Sequence, residues 1–117
     1  MNNKEFAKVL ELRTLNFSIE IIKLSVSLPK IPESLVIKNQ ITKSGTSVGA
    51  NYREANRSRS KKDFKNKIKI SESEASETNY WLEIVEAMNW AEEKDLTPIK
   101  KEAKELLAIF TSIANKL

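Results

Sequence analysis

The stretch from Ser44 to Trp81 decides the fold of this chain. It opens Ser44-Gly-Thr-Ser-Val-Gly-Ala-Asn-Tyr-Arg-Glu-Ala55 and closes Glu74-Ala-Ser-Glu-Thr-Asn-Tyr-Trp81, with a lysine-rich segment between the two parts. Both parts have the period of a helix, but the first carries small and polar residues where a core helix normally carries Leu. We therefore expect two adjoining helices whose facing sides form a polar layer inside an apolar core.

Working outward from this stretch, apolar residues recur at steps of three and four along nearly the whole chain. Asn2 or Asn3 can cap a first helix, and Ser60 with Asp63 resembles a capping box for the third. Long helices with short joints predict an all-α fold, an antiparallel up-down-up-down four-helix bundle forming a single domain over residues 1–117. The predicted helices span about 3–28, 32–58, 61–92 and 97–117, with Pro98 in the first turn of the last helix.

The composition excludes several kinds of chemistry. Among 117 residues there is no Cys and no His, which removes thiolate chemistry and the commonest general base and transition-metal ligand. The start of the chain does not resemble a signal peptide, and its longest apolar run, Leu106 to Phe110, is too short to span a bilayer. We therefore expect a cytoplasmic protein with no membrane contact and no cofactor.

The candidate polar layer combines the small-polar part of the second helix with the third helix. Arg13 on the first helix is expected to pair with Glu74 or Glu77 in this layer, and the layer is expected to be structural, fixing register as a buried Asn does in coiled coils. The alternative is a carboxylate site for magnesium or calcium, since iron or manganese oxidase chemistry in bundles normally needs His as well. No nucleophile–base pair is visible, so we predict no enzyme activity, no catalytic residue and no metal site. The predicted layer consists of Arg13, Ser44, Asn51, Ser71, Glu74, Glu77 and Thr78.

The charges are strongly segregated along the chain. Residues 51–70 carry eight Lys/Arg against two acids, a net +6, whereas residues 71–95 carry eight acids against one Lys, a net −7. A basic cluster can be a solvated face, or it can contact phosphates, which requires positive charge and little else. No base-reading motif is present, so any RNA or DNA binding would be driven by the backbone. The candidate nucleic-acid-binding residues are Arg53, Arg57, Arg59, Lys61, Lys62, Lys65 and Lys69.

The first and third helices each carry two apolar stripes, although one stripe per helix suffices for a four-helix core. The second stripe of the first helix is Leu12, Leu15, Ile19, Ile22 and Val26. We therefore predict that the protein is not monomeric. Two glycines one turn apart on the second helix indicate a close approach of another backbone, either through close packing within the bundle or at an interface between copies. The candidate interface residues are Gly45, Gly49, Trp81, Ile84 and Met88.

The two parts of the deciding stretch resemble the bacterial four helix bundle protein family. Its members include proteins encoded in intervening sequences of 23S ribosomal RNA genes, and a related branch is the accessory variability protein of diversity-generating retroelements. The resemblance covers essentially the whole chain and is strongest over residues 41–83. Gly49 stands where many relatives have Pro, and Glu54-Ala55 replaces the more usual Glu-Gly. The matching motif positions are Ser44, Ser47, Gly49, Asn51, Glu54 and Ala55, then Glu74, Glu77, Thr78, Tyr80 and Trp81.

The resemblance implies a bundle that assembles as a ring-shaped homopentamer. For the retroelement branch it also implies a basic surface that binds nucleic acid and a reverse transcriptase as partner. For most members of this family no molecular activity is established, so the resemblance implies none for this chain. Our first hypothesis is thus a non-enzymatic oligomeric bundle that binds RNA or DNA. The alternative is a structural or protein-partner scaffold without nucleic-acid binding.

Overall fold

The computed structural model describes residues 2–117 and contains four α-helices. Their order and bounds are α1 Asn3–Ser27, α2 Pro32–Asn56, α3 Lys61–Ala87 and α4 Glu93–Asn115. The molecule measures 44 × 25 × 20 Å, so the helices lie along one long axis. No helix within these described residues is both long and apolar enough to cross a membrane. The predicted all-α four-helix bundle is confirmed.

In the contacts between neighbouring helices, residue numbers rise along one helix as they fall along the other. Gly45 of α2 lies against Ile21 of α1, whereas Gly49 lies against Thr14. Between α2 and α3, Ser44 meets Thr78 while the carbonyl of Val48 meets Ser71. Between α3 and α4, Glu86 meets Lys100 and Asn79 meets the carbonyl of Ala103. The helices therefore alternate in direction, and α1 lies diagonally opposite α3.

Each helix turns one apolar seam inward, at the steps of three and four seen in the sequence. Tyr52 of α2 and Phe110 of α4 meet edge-on with ring centroids 5.4 Å apart, near the end formed by the α2–α3 joint. The largest buried side chains of this core are Phe110, Ile21, Leu28, Ile41, Ile68, Leu82 and Leu106.

The beginnings of α1 and α3 are capped as the sequence predicts. The Asn2 side chain accepts a hydrogen bond from the amide of Glu5 at 2.8 Å, and Ser60 accepts one from the amide of Asp63 at 3.0 Å. Each cap satisfies an amide that has no partner within its helix. These two contacts fix the point where α1 starts and the sharp turn out of the α2–α3 joint.

The joint between α3 and α4 differs from the prediction. The third helix stops at Ala87 and not near residue 92, because Asn89 adopts the left-handed conformation with φ 56°. The amide of Asn89 donates to the carbonyl of Glu86 and that of Trp90 to the carbonyl of Val85, which is a Schellman ending. Consequently α4 starts four residues earlier than residue 97, and Pro98 is its sixth residue.

The other ends lie within two residues of the prediction. The first helix stops at Ser27, the second at Asn56 and the fourth at Asn115, each one or two residues short of the predicted bound. Helix ends fray, and the last turns are the part that periodicity defines least well.

Candidate nucleic-acid interface

One end of the bundle is formed by the α2–α3 joint, the start of α1 and the end of α4; we call it the basic end. In the joint, the amides of Arg57 and Ser58 donate to the carbonyls of Glu54 and Ala55, each at 3.0 Å. The Ser58 hydroxyl also donates to the carbonyl of Ala55 at 2.6 Å. These bonds close the turn with the backbone and with Ser side chains, so the Arg and Lys side chains project into solvent.

The basic residues predicted from the sequence lie at or near this end. Arg53 lies 3.8 Å from Glu11 of α1, an ion pair that partly neutralises it. Lys67, which lies in the same stretch, is bound by Glu54 at 3.2 Å. In the described part of the chain, six predicted residues form no ion pair and are exposed or, for Lys65, half-buried: Arg57, Arg59, Lys61, Lys62, Lys65 and Lys69.

Three further lysines belong to the basic end and were not predicted. Glu11 of α1 bonds to Asn56 at 2.9 Å, so the two turns of α1 before Glu11 reach the level of the joint. These turns carry Lys4 and Lys8, both exposed, and the exposed Lys116 follows the end of α4. A search for clusters contiguous in sequence cannot find them. Counting the charges at helix ends that share one end of an antiparallel bundle would have found them.

The charge therefore divides along the long axis. The half with the basic end comprises residues 2–14, 45–73 and 104–117 and holds 13 Lys/Arg against 6 acids, a net +7. The opposite half, residues 15–44 and 74–103, holds 7 Lys against 10 acids, a net −3. An anionic polymer is attracted to one end and repelled from the other.

The predicted polar layer exists in a smaller form, between α2 and α3 only. Ser44, Ser71 and Thr78 are at most 1% exposed. The Ser71 hydroxyl donates to the carbonyl of Val48 across the helix pair at 2.9 Å. The hydroxyls of Thr78 and Ser44 lie 2.9 Å apart, and Thr78 Oγ1 also lies 2.8 Å from the carbonyl of Glu74. Small hydroxyls thus replace large apolar groups and let the two backbones approach.

The other residues assigned to the layer lie outside it. Arg13 does not reach α3, which is diagonal to α1; it binds Glu102 of α4 through two hydrogen bonds of 2.6 and 2.7 Å and Glu105 at 3.0 Å. These bonds, led by that to Glu102, raise the pKa of the guanidinium further. Asn51 is half-buried and donates to the carbonyl of Ser47 on its own helix. Glu74 and Glu77 are also half-buried, on the outer side of α3. The prediction was wrong for these four residues.

The carboxylate pair offers little to a metal ion. Desolvation and, next, the charge of Glu77 raise the pKa of Glu74, while Lys43 of α2 opposes this shift. Within residues 2–117 no three acidic residues are gathered as possible ligands. Two carboxylates fill few of the oxygen positions that magnesium or calcium requires.

The two glycines serve packing inside the chain. A Cβ on Gly45 would lie 2.7 Å from Ile21 Cγ2, and one on Gly49 would lie 2.9 Å from Thr14 Oγ1. Both glycines are buried against α1 of the same chain. Their prediction as residues of an oligomer interface was therefore wrong, whereas the close approach of another backbone is confirmed.

The second apolar stripes predicted on α1 and α3 remain at the surface. On α1, the five aliphatic residues of the stripe are 40–71% exposed. On α3, Met88 is 53% exposed, and Trp81 and Ile84 are half-buried. Their assignment to an interface between copies stays a prediction.

Comparisons with known proteins agree with this architecture. A family model described as 23S rRNA-intervening sequence protein matches residues 8–112. A crystal structure of a protein with unknown function from the S23 ribosomal protein family of Bacteroides thetaiotaomicron is similar, with a TM-score of 0.81 and 35% sequence identity. The similarity covers 89% of this chain and 96% of that chain. No curated protein matches. With the match spanning most of the bundle, the chain belongs to the family of 23S rRNA-intervening sequence proteins.

Proposed function

We propose that this protein is a non-enzymatic, oligomeric accessory protein that binds the phosphate backbone of RNA or DNA through its basic end. The observation that carries the proposal is the set of exposed Arg and Lys side chains at this end that have no carboxylate partner. Unpaired cations keep their full charge for a phosphate ligand. Cations on a merely solvated face are more often interspersed with acids, as on the opposite half of this molecule.

Binding is expected to be largely blind to sequence. The basic end presents helix ends and a short turn, with no helix or ribbon shaped to enter a groove and read base edges. Each neutralised phosphate releases counterions, so affinity falls steeply as salt rises. The acidic half confines the ligand to one end.

Self-association is the second part of the proposal. The uncovered stripe on α1 supports it, because monomers rarely expose a continuous apolar surface of this kind. An assembly repeats the basic end once per copy, which turns weak contacts into an avid one when one nucleic acid spans several copies. A homopentamer, as the family resemblance implies, would present five such ends, and a reverse transcriptase enters as partner only for the retroelement branch.

The test compares two triple variants of equal net charge. Arg57, Arg59 and Lys62 are changed to Glu in one variant; Lys30, Lys94 and Lys101, all exposed on the acidic half, are changed to Glu in the control. Fluorescence anisotropy measures binding to labelled single-stranded RNA and duplex DNA at about 50 and 300 mM salt, a range over which phosphate contacts weaken strongly. We expect tight, salt-sensitive binding by the wild type and the control, and none by the first variant.

Two results would contradict this function. If the two variants lose affinity equally, net charge and not the basic end determines binding. If the wild type does not bind at the lower salt concentration, the protein-partner scaffold becomes the better hypothesis, because the same exposed stripe on α1 that favours self-association also suits a foreign helix.

A further inference from the structure

The outer side of α1 forms a continuous apolar ridge. Its residues recur at steps of three and four, which is the spacing of a coiled-coil seam. They lie on the side of α1 opposite its core-facing residues Leu10, Phe17 and Ile21, so nothing within the described chain covers them. The ridge consists of Leu12 (58% exposed), Leu15 (42%), Ile19 (40%), Ile22 (44%) and Val26 (71%).

A second apolar surface lies where α2 and α3 meet on their outer sides; we call it the α2/α3 face. Lys43 of α2 and Glu74 of α3 are close enough there for their charges to interact, and the ion pair between Glu54 and Lys67 closes the face toward the basic end. Helical spacing puts Val36, 59% exposed, on the same side of α2 as Lys43. Its apolar residues are Val36, Ile70, Trp81, Ile84 and Met88.

Trp81 gives this face an unusual feature. Its indole nitrogen is shielded from solvent, yet it has no hydrogen-bond acceptor among residues 2–117. Buried donors are normally paired. The face therefore combines uncovered apolar side chains with a donor that lacks its partner within the chain.

The two surfaces are complementary in charge. Glu74 and Glu77 outnumber Lys43 in the middle of the α2/α3 face, and burial already raises the pKa of Glu74. The ridge of α1 is flanked by the cations Lys8 and Lys23; the Lys23 side chain is 71% exposed and lies 3.7 Å from Glu20. A helix that lays this ridge between α2 and α3 brings a further cation toward the two carboxylates.

We infer that the α1 ridge of one copy docks on the α2/α3 face of a second copy. One contact of this kind covers both uncovered surfaces, whereas a contact between two ridges would leave the α2/α3 face bare. A contact between unlike surfaces is heterologous, and it adds copies into a ring if the rotation between copies closes and into an open filament if it does not. The inference rests on the self-association proposed above and specifies which surfaces meet.

Because the chain has no Cys, single cysteines can be placed cleanly. Asn16→Cys marks the edge of the ridge, Gln40→Cys marks the α2 side of the α2/α3 face, and Lys104→Cys marks a site on α4 as control; all three positions are exposed and none is a docking residue. Each variant is checked by light scattering for the wild-type mass and then treated with a short bismaleimide, alone and in pairwise mixtures in which one member carries a tag. We expect cross-linked pairs in the mixture of ridge and face variants, and none from any variant alone or mixed with the control.

The outcomes separate this inference from the proposed function. Cross-linking of the ridge variant with itself, or an intact assembly that gives no ridge–face product, overturns the docking mode and leaves nucleic-acid binding untouched. Light scattering at the monomer mass of 13.3 kDa overturns self-association and this inference together. As a second measurement, Ile19→Asp should give a monomer with unchanged helical circular dichroism, while Ala108→Asp, at an exposed position of α4, should keep the assembly.

Discussion

Replacing Gly45 by Ala tests whether close packing or helix propensity dominates at the α1–α2 contact. The added Cβ would lie 2.7 Å from Cγ2, 3.0 Å from Cγ1 and 3.1 Å from Cβ of Ile21. Ile21 is fully buried and β-branched, so its χ1 angle is stiff and its side chain cannot withdraw. The substitution therefore forces the two helices apart or strains the Ile21 side chain.

The magnitude follows from two opposing effects. Ala in a helix interior is favoured over Gly by about 1 kcal/mol. Overpacking a filled core costs about 1–3 kcal/mol. We expect Gly45→Ala to lower the free energy of unfolding by about 1 kcal/mol. Adding Ile21→Ala, which removes both Cγ atoms, should give a coupling energy of about 0.5–3 kcal/mol in the stabilising direction.

Urea unfolding followed by circular dichroism measures these differences, at one fixed protein concentration because self-association shifts apparent stability. Ala50→Gly, on an exposed side of the same helix, is the control for propensity and should cost about 1 kcal/mol. A Gly45→Ala protein that resists urea better than the wild type would show that the contact has room for a methyl group. An effect unchanged by Ile21→Ala would refute the role of that side chain.

Three further predictions concern single polar groups. Arg13→Lys should lower stability by about 1 kcal/mol in urea, because Lys cannot make the paired hydrogen bonds to Glu102 in this half-exposed site; an unchanged midpoint would contradict this. Ser71→Ala should cost about 1 kcal/mol by the same assay, through loss of the hydrogen bond to the carbonyl of Val48. Because the pKa of Glu74 is raised in the folded state, its charged form destabilises the protein at pH values above that pKa. In the monomeric Ile19→Asp background, where no second copy brings a cation to this carboxylate, Glu74→Gln should therefore raise the melting temperature at pH 7, and the gain should fade as the pH falls through the pKa of Glu74; a gain that persists at pH 3 would contradict this.

The bundle can be predicted from the sequence because it depends on patterns of residues that are close together in the chain. The caps at Asn2 and Ser60 depend on residues three positions apart, and the seams depend on a repeat within each helix. The small hydroxyls of Ser44 and Thr78 on neighbouring seams were enough to predict the polar contact between α2 and α3. Their meeting follows from the short joint, which makes consecutive helices neighbours.

The errors arise where the answer depends on which helices are neighbours. The helical period shows which side of α1 carries Arg13, but not whether α3 or α4 lies on that side. Because α3 is diagonal to α1, Arg13 binds Glu102 of α4. Periodicity extends the third helix to residue 92, whereas the left-handed conformation of Asn89 ends it at Ala87. The same limit hid Lys4 and Lys8 from the basic end, since only the antiparallel arrangement brings them beside the joint.

The placement of charge on α3 supports the proposed contact with phosphate. A helix favours acids in its first turn and cations in its last, by about 0.3–1 kcal/mol each. On α3 this is reversed: Lys61 and Lys62 occupy the first two helical positions, and Glu83 and Glu86 lie near the end, whose last turn has no basic residue. Only Asp63 follows the favoured pattern. A helix with acids in its first turn and cations in its last would be solvated equally well and would be more stable. Cations kept at a helix start against this preference add to the positive field of the unpaired amides there, and a phosphate is the kind of ligand that benefits from both.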